Sequence, residues 1–291
     1  MWNQLKTVIL LGSLSALLVA IGGALGEGYL YAFTGLALLI NFVSYFFSDK
    51  IVLAMQRAKP LSELEAPYLH RMVEDIAARA GLPKPRVYLV PEHQPNAFAT
   101  GRNPQHAVVA VTSGLLELLD DRELRGVLAH EIGHIKNRDM LVATVAAGIA
   151  GAITYLAHAL QWGAMFGGVS SSDDDDRGSA VGALLMAMIA PFAAMLIQLG
   201  ISRSREYGAD ERAAQLTGDP EGLARALEKL HVGAARIPAH VEPATASLFI
   251  VNPLSGRGGL MQLFSTHPAP EERVRRLRAM AYGGSSMLRH A

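Results

Sequence analysis

The chain has 291 residues, no cysteine, a formal net charge of zero, 51% hydrophobic residues and 18% charged ones. The missing cysteines exclude disulfides, thiolate catalysis and cysteine-ligated zinc, and leave any metal to histidine and carboxylate. Zero net charge offers no electrostatic footprint for nucleic acid. The low charged fraction leans toward a membrane protein, and the lack of cysteine fits a reducing compartment.

Two apolar runs open the chain, at about 8–25 and 29–47, with Glu27 the only charge between them. Each approaches the ~20 residues that a bilayer crossing needs. A cleaved signal peptide is the other reading of the first run. Its length, and the second run that follows at once, favour a helical hairpin over residues 1–48.

From Asp49 the composition changes, with Lys50, Arg57 and Lys59 following the second run. Ser62-Glu63-Leu64-Glu65 is a capping box that predicts a helix start. Leu69, Met72, Val73, Ile76 and Ala80 then recur at helical spacing, and Gly81 with Pro83 ends that helix. Arg86 to Val90 reads as a strand, Pro95 to Gly101 as an extended stretch of mostly small residues, and Ala107 to Thr112 as another strand. A sheet of two or three strands is expected. Asp120 and Glu123 give a second capping signal, opening a helix that carries His130-Glu131-Ile132-Gly133-His134.

After Asp139 the chain is apolar again from Met140 to about Met165. A loop with Ser170 to Ser172 and Asp173 to Asp176 follows, then an apolar run from Ala180 to Ile201. These runs form a second hairpin over 140–201, either crossing the membrane or buried against the globular part of the chain. They are rich in Ala and Gly and contain His158, Gln161 and Gln198. The aspartate run is simplest as a solvated loop, since it lacks EF-hand spacing. Gly218-Asp219-Pro220 breaks one helix and starts another. Residues 237–259 are loop-like, a basic helix spans Glu271 to Ala281, and a tail follows from 283. The expected parts of the catalytic domain are therefore 49–139 and 202–282.

Charge tests the four-span arrangement. Lys6, Lys50, Arg57, Lys59, Lys136, Arg138, Arg203 and Arg205 all fall on one side. The other side has Glu27 and the aspartate run, with Arg177 as its only cation. The positive-inside rule then puts both termini and the globular parts in the cytoplasm.

The chemistry centres on His130 and His134. Four apart on a helix, they project from one face and can grip one Zn²⁺. Glu131 stands beside them, close enough to take a proton from a water held there. A catalytic zinc needs a third protein ligand. The extended pattern with a nearby third histidine is absent, because Asn137 and Met140 stand where its Gly and His belong. Glu206 and Asp210 share a helix face: one can bind the metal while the other holds a ligating imidazole.

The run from His130 to Asp139 resembles the active-site helix of the HtpX-type family of integral-membrane zinc peptidases. Ser202-Arg203-Ser204-Arg205-Glu206-Tyr207-Gly208-Ala209-Asp210 resembles that family's second motif. Asn96 to Gly101 and Ser265-Thr266-His267-Pro268 resemble two more of its signatures, so the likeness runs over nearly the whole chain. It implies an α-rich α+β membrane protein: a gluzincin-like zinc-peptidase domain with a small sheet and about four transmembrane helices. It implies one zinc per chain, held by His130, His134 and Glu206, with Glu131 as general base and Asp210 supporting a ligand. The related prenyl-protein (CAAX) proteases use a His and an Arg six residues later to stabilise the oxyanion, which His267 and Arg273 match in spacing. Substrate backbone is expected to pair with the strand at Asn96, Ala97, Phe98 and Ala99, unless that stretch is a plain structural loop.

The implied activity is cleavage of misfolded or damaged membrane proteins at the cytosolic face of a bacterial inner membrane. The bilayer and polypeptide substrates are the expected partners. A prenyl-protein-type protease is the alternative within the enzyme class. A catalytically idle membrane scaffold or chaperone is the alternative outside it, and the presence of Glu131 argues against that one.

Overall fold

The computed structural model describes residues 2–147, 149, 203–237, 243–251 and 268–282. Helices α1 (Trp2–Leu25) and α2 (Glu27–Met55) form the N-terminal hairpin, turning at Gly26 with φ +123°. They approach closely at Gly22, where a Cβ would lie 2.7 Å from the Phe33 Cβ and 2.8 Å from the Tyr29 oxygen. Asn41 Nδ2 donates to Ser15 Oγ at 2.7 Å, a polar link between the two helices of the kind that holds helices together in lipid.

Among the described residues α2 alone is long and apolar enough to cross a membrane, and little of it is buried. The apolar part of α1 is shorter. α2 also runs past the expected end at Phe47, continuing through Asp49 and Lys50 to Met55. Four spans are thus not shown. The third apolar run is helical over 140–147 and at 149. The rest of the second hairpin, with its aspartate loop, lies outside the described residues.

The capping box at Ser62 closes its reciprocal bonds: Ser62 N–H donates to Glu65 Oε2 at 2.8 Å and Glu65 N–H to Ser62 Oγ at 3.3 Å. It makes an isolated turn, however, and helix α3 starts only at Pro67 (Pro67–Arg79). The reason is local: Ala66 precedes a proline and is pushed out of the helical region, to φ −139°. α3 ends as expected. Gly81, at φ +67°, donates to the Ala78 oxygen, and Leu82 donates to Ala77, the paired bonds of a Schellman stop.

Strands β1 (Lys59–Pro60), β2 (Arg86–Val90), β3 (Ala97–Thr100) and β4 (Val108–Thr112) form a sheet in the order β1-β2-β4-β3. β2 and β4 are parallel, with Arg86 opposite Val108, and β3 runs antiparallel to β4, with Ala97 opposite Val111. The sheet is larger than the expected two or three strands because β1 has only two residues, too few to leave a pattern. Its Pro60 sits where proline is tolerated, on an edge strand. Thr112 caps a short helix α4 (Ser113–Leu118), accepting from the Leu115 N–H. The Asp120 box does open the next helix, α5 (Asp121–Asn137), which stops at Arg138 in a left-handed conformation, φ +57°. The next described elements after residue 149 are α6 (Arg203–Thr217), α7 (Pro220–Arg236), a 3-10 turn (Pro243–Leu248) and α8 (Pro270–Tyr282).

The main core joins one face of α3, the sheet, α5, α7 and α8, through Ile76, Val109, Leu128, Leu227 and Leu277 among others. The other sheet face, Phe98, Val108 and Ala110, rests on Val52 and Leu53 at the end of α2, with Ala147 and Phe249. A third cluster packs Leu141, Val145 and Ile149 against Leu14 and Leu18 of α1 and Ala37 of α2. The chain therefore leaves α5 and, within one turn of Arg138, becomes part of the N-terminal helical hairpin.

Candidate metal centre

Helical geometry places the His130 and His134 rings one turn apart, centroids 4.7 Å and nearly perpendicular. Their Nε2 atoms are 3.1 Å apart. α6 brings the third donor across α5 at Gly133. A Cβ there would meet the Ala209 oxygen at 3.3 Å and its Cα at 3.4 Å. Glycine thus lets the two backbones come close enough for Glu206 to reach. Glu206 Oε2 lies 3.6 Å from His130 Nε2, and Oε1 lies 3.6 Å from His134 Nε2.

His130, His134 and Glu206 form the one group of donors among the described residues able to hold a metal ion. Ligands at ~2.0–2.1 Å around a tetrahedral zinc stand about 3.3 Å from one another, close to the separations found. Two imidazoles and a carboxylate are a zinc donor set, and they leave a fourth position for water. The residues present therefore fit the ion.

Each imidazole is held from behind. His130 Nδ1 lies 2.9 Å from Asp210 Oδ1, and His134 Nδ1 lies 3.4 Å from Asp139 Oδ2. Asp139 was not among the residues that spacing singles out. Its signal was faint: it directly follows the left-handed Arg138, and its N–H returns to the His134 carbonyl.

Electrostatics follow from this packing. Burial opposes charge on His130, but hydrogen bonds to Asp210 and Glu206 prevail and push its pKa up to about 9. A metal at this site displaces that proton. Glu131 is also buried, and desolvation raises its pKa against the downward pull of the two imidazoles. Burial would raise Asp210 too, but the Arg273 charge and hydrogen bonds win and lower it.

Arg273, on α8, reaches the site but faces its supports. Nε donates to Asp210 Oδ2 at 2.8 Å, Nη2 to Asp210 Oδ1 at 2.7 Å, and Nη1 to the Ile250 carbonyl at 2.9 Å. Its expected partner at the oxyanion, His267, lies outside the described residues. Ala97, Phe98 and Ala99 lie on the edge strand β3, Asn96 directly precedes it, and all four side chains are buried. Asn96 grips Val251, donating from Nδ2 to its carbonyl at 2.7 Å and accepting its N–H at 3.3 Å. The Ala97 carbonyl accepts from Ile250 N–H at 3.0 Å. Phe98 packs edge-on against Phe249 at 5.1 Å. The chain's own residues 249–251 thus line the outer edge of β3 at its start. Ladder alternation turns the N–H and C=O of Ala99 to the same outer side.

The pattern of peptidase family M48 matches residues 63–281. A "Protease HtpX homolog" of Syntrophobacter fumaroxidans is 58% identical over 284 residues, covering 96% of this chain and 100% of the relative. Another, of Pelotomaculum thermopropionicum, is 56% identical over 281 residues, covering 96% and 99%. The crystal structure of S. mikatae Ste24p superposes with a TM-score of 0.51 at 19% identity, over 94% of this chain and 65% of that longer one. At that identity the likeness concerns the fold.

Proposed function

The chain belongs to peptidase family M48, and from that premise we propose that it is a membrane-anchored zinc metalloendopeptidase. Its proposed substrates are misfolded or damaged membrane proteins, cleaved at the cytosolic face of a bacterial inner membrane. The observation that carries the zinc reading is the His130, His134 and Glu206 triangle with buried Glu131 one residue along the same helix. The membrane reading is supported by exposed, apolar α2 and by the helix from 140 that packs onto α1 and α2.

Zinc, when bound, supplies a Lewis acid that activates water and polarises the scissile carbonyl. The protein's own residues do the rest. Glu131 takes the proton of the attacking water and returns it to the leaving amine. Its burial favours this role, because a carboxylate with a raised pKa holds the proton better between the two steps. Asp210 and Asp139 hold the imidazoles with their Nε2 atoms turned toward Glu206. The outward N–H and C=O of Ala99 are the groups we assign to pairing with an extended substrate by strand addition.

The test is a pair of substitutions in the full-length protein. Glu131→Gln is expected to keep its zinc and lose at least about 100-fold in peptide cleavage. Glu206→Ala is expected to lose zinc. Unchanged cleavage by the first, or wild-type metal content in the second, overturns the assignment. An idle scaffold predicts no cleavage by the wild-type chain at all.

A further inference from the structure

We propose that Arg273 is a positioning residue, which fixes the Asp210 carboxylate against His130 and ties that pair to the segment on the β3 edge. The proposal rests on the metal-centre reading above and assigns Arg273 a job different from oxyanion stabilisation.

The geometry is a fork. Nε and Nη2 of one planar guanidinium meet the two oxygens of one carboxylate, at 2.8 and 2.7 Å. Such a pair sets the carboxylate's plane as well as its position. Asp210 Oδ1, so oriented, is the atom that meets His130 Nδ1 at 2.9 Å. An Nδ1–H directed to a carboxylate leaves the Nε2 lone pair for a metal. Swinging the Asp210 carboxylate out of this plane frees the imidazole to rotate, and the Nε2 atom with it.

An oxyanion donor must aim an N–H at the open position beside the metal. Arg273 is 2% exposed. Three of its donors are taken by Asp210 and Ile250. Among the described residues its other close approaches are to ligand side chains: Nη2 at 3.4 Å from both His130 ring nitrogens and Nη1 at 3.7 Å from Glu206. Its fork is taken up by the carboxylate that meets His130 Nδ1.

The Ile250 contact gives the arginine a second effect. Ile250 accepts from Arg273 through its carbonyl and donates to the Ala97 carbonyl through its N–H, at 2.9 and 3.0 Å. A continuous path runs from β3 through Ile250, Arg273 and Asp210 to His130. The edge strand and the metal site are thereby held in one register.

The experiment measures zinc affinity by chelator competition, and the absorption spectrum of the cobalt-substituted protein, on full-length chain in detergent. Arg273→Gln is expected to weaken zinc binding by ~10–100-fold and alter the cobalt spectrum. The double variant with Asp210→Asn is expected to bind no more weakly than Asp210→Asn alone, since both remove one link. Arg273→Lys keeps the charge but lacks the fork, and is expected to recover only part of the affinity. It also serves if the glutamine variant does not fold. Wild-type zinc affinity and cobalt spectrum in either single variant, with turnover alone reduced, overturn the proposal in favour of an oxyanion donor. A wild-type chain that takes up no zinc overturns the metal reading itself, a distinguishable failure.

Discussion

Glu131 is the residue on which burial has the plainest kinetic consequence. It is 1% exposed, and desolvation lifts its pKa above the ordinary 4.5. A general base works only when ionised. In the zinc-free protein the carboxyl should therefore stay ionised above the raised pKa and take its proton at less acidic pH than an exposed glutamate would. An infrared titration of the zinc-free protein, read as a difference against Glu131→Gln, checks this, and a midpoint at or below 4.5 contradicts it. The residues of the metal triangle and Glu131 were legible because a helix makes neighbours of positions four apart. The same rule placed Glu206 and Asp210 on one face without saying which faced the metal. Asp139 escaped, because a residue just past a helix end reaches back only through the particular turn at Arg138.

At the scale of elements, the crossing of α5 and α6 decides whether the site exists. Gly133 sits at their contact, with Ala209 backbone at 3.3 Å from where a Cβ would be. Gly133→Leu is expected to keep α5 helical yet force α6 outward, at a cost of about 1–3 kcal/mol for the overpacked crossing. Glu206 moves with α6, so zinc affinity should fall together with the melting temperature. A variant that binds zinc as the wild type does removes the crossing from the account. Local rules served unevenly here. Asp120 and Glu123 opened α5 where expected, while the equivalent box at Ser62 closed only a turn because Pro67 followed. Strand β1 was invisible, since two residues carry no alternation.

For the whole molecule, the placement of the site against the hairpin is what gives the sequence its biological sense. α5 ends at Arg138, and by Leu141 the chain packs against α1 and α2. One sheet face rests on the end of α2 as well. If the second hairpin crosses the bilayer, as its apolar runs and the distribution of Lys and Arg suggest, a reporter fused after Asp176 appears outside the cytoplasm, and one fused at the C-terminus appears inside. A cytoplasmic signal after Asp176 removes the second hairpin from the membrane and leaves anchoring to α1 and α2.

The sequence by itself determined the helix with the two histidines, the donor types it offers a metal and the stretch that brings the third donor. All of these depend on residue chemistry and on periods repeated every few positions. Only the tertiary structure decided that Arg273 faces Asp210, and that residues 249–251 lie along β3. Those contacts join positions 63 and 155 apart in the chain. No local period encodes such pairs; they follow from how α5, α6, α8 and the sheet pack around a shared core. The same packing joins the arginine expected at the oxyanion to Asp210 and Ile250.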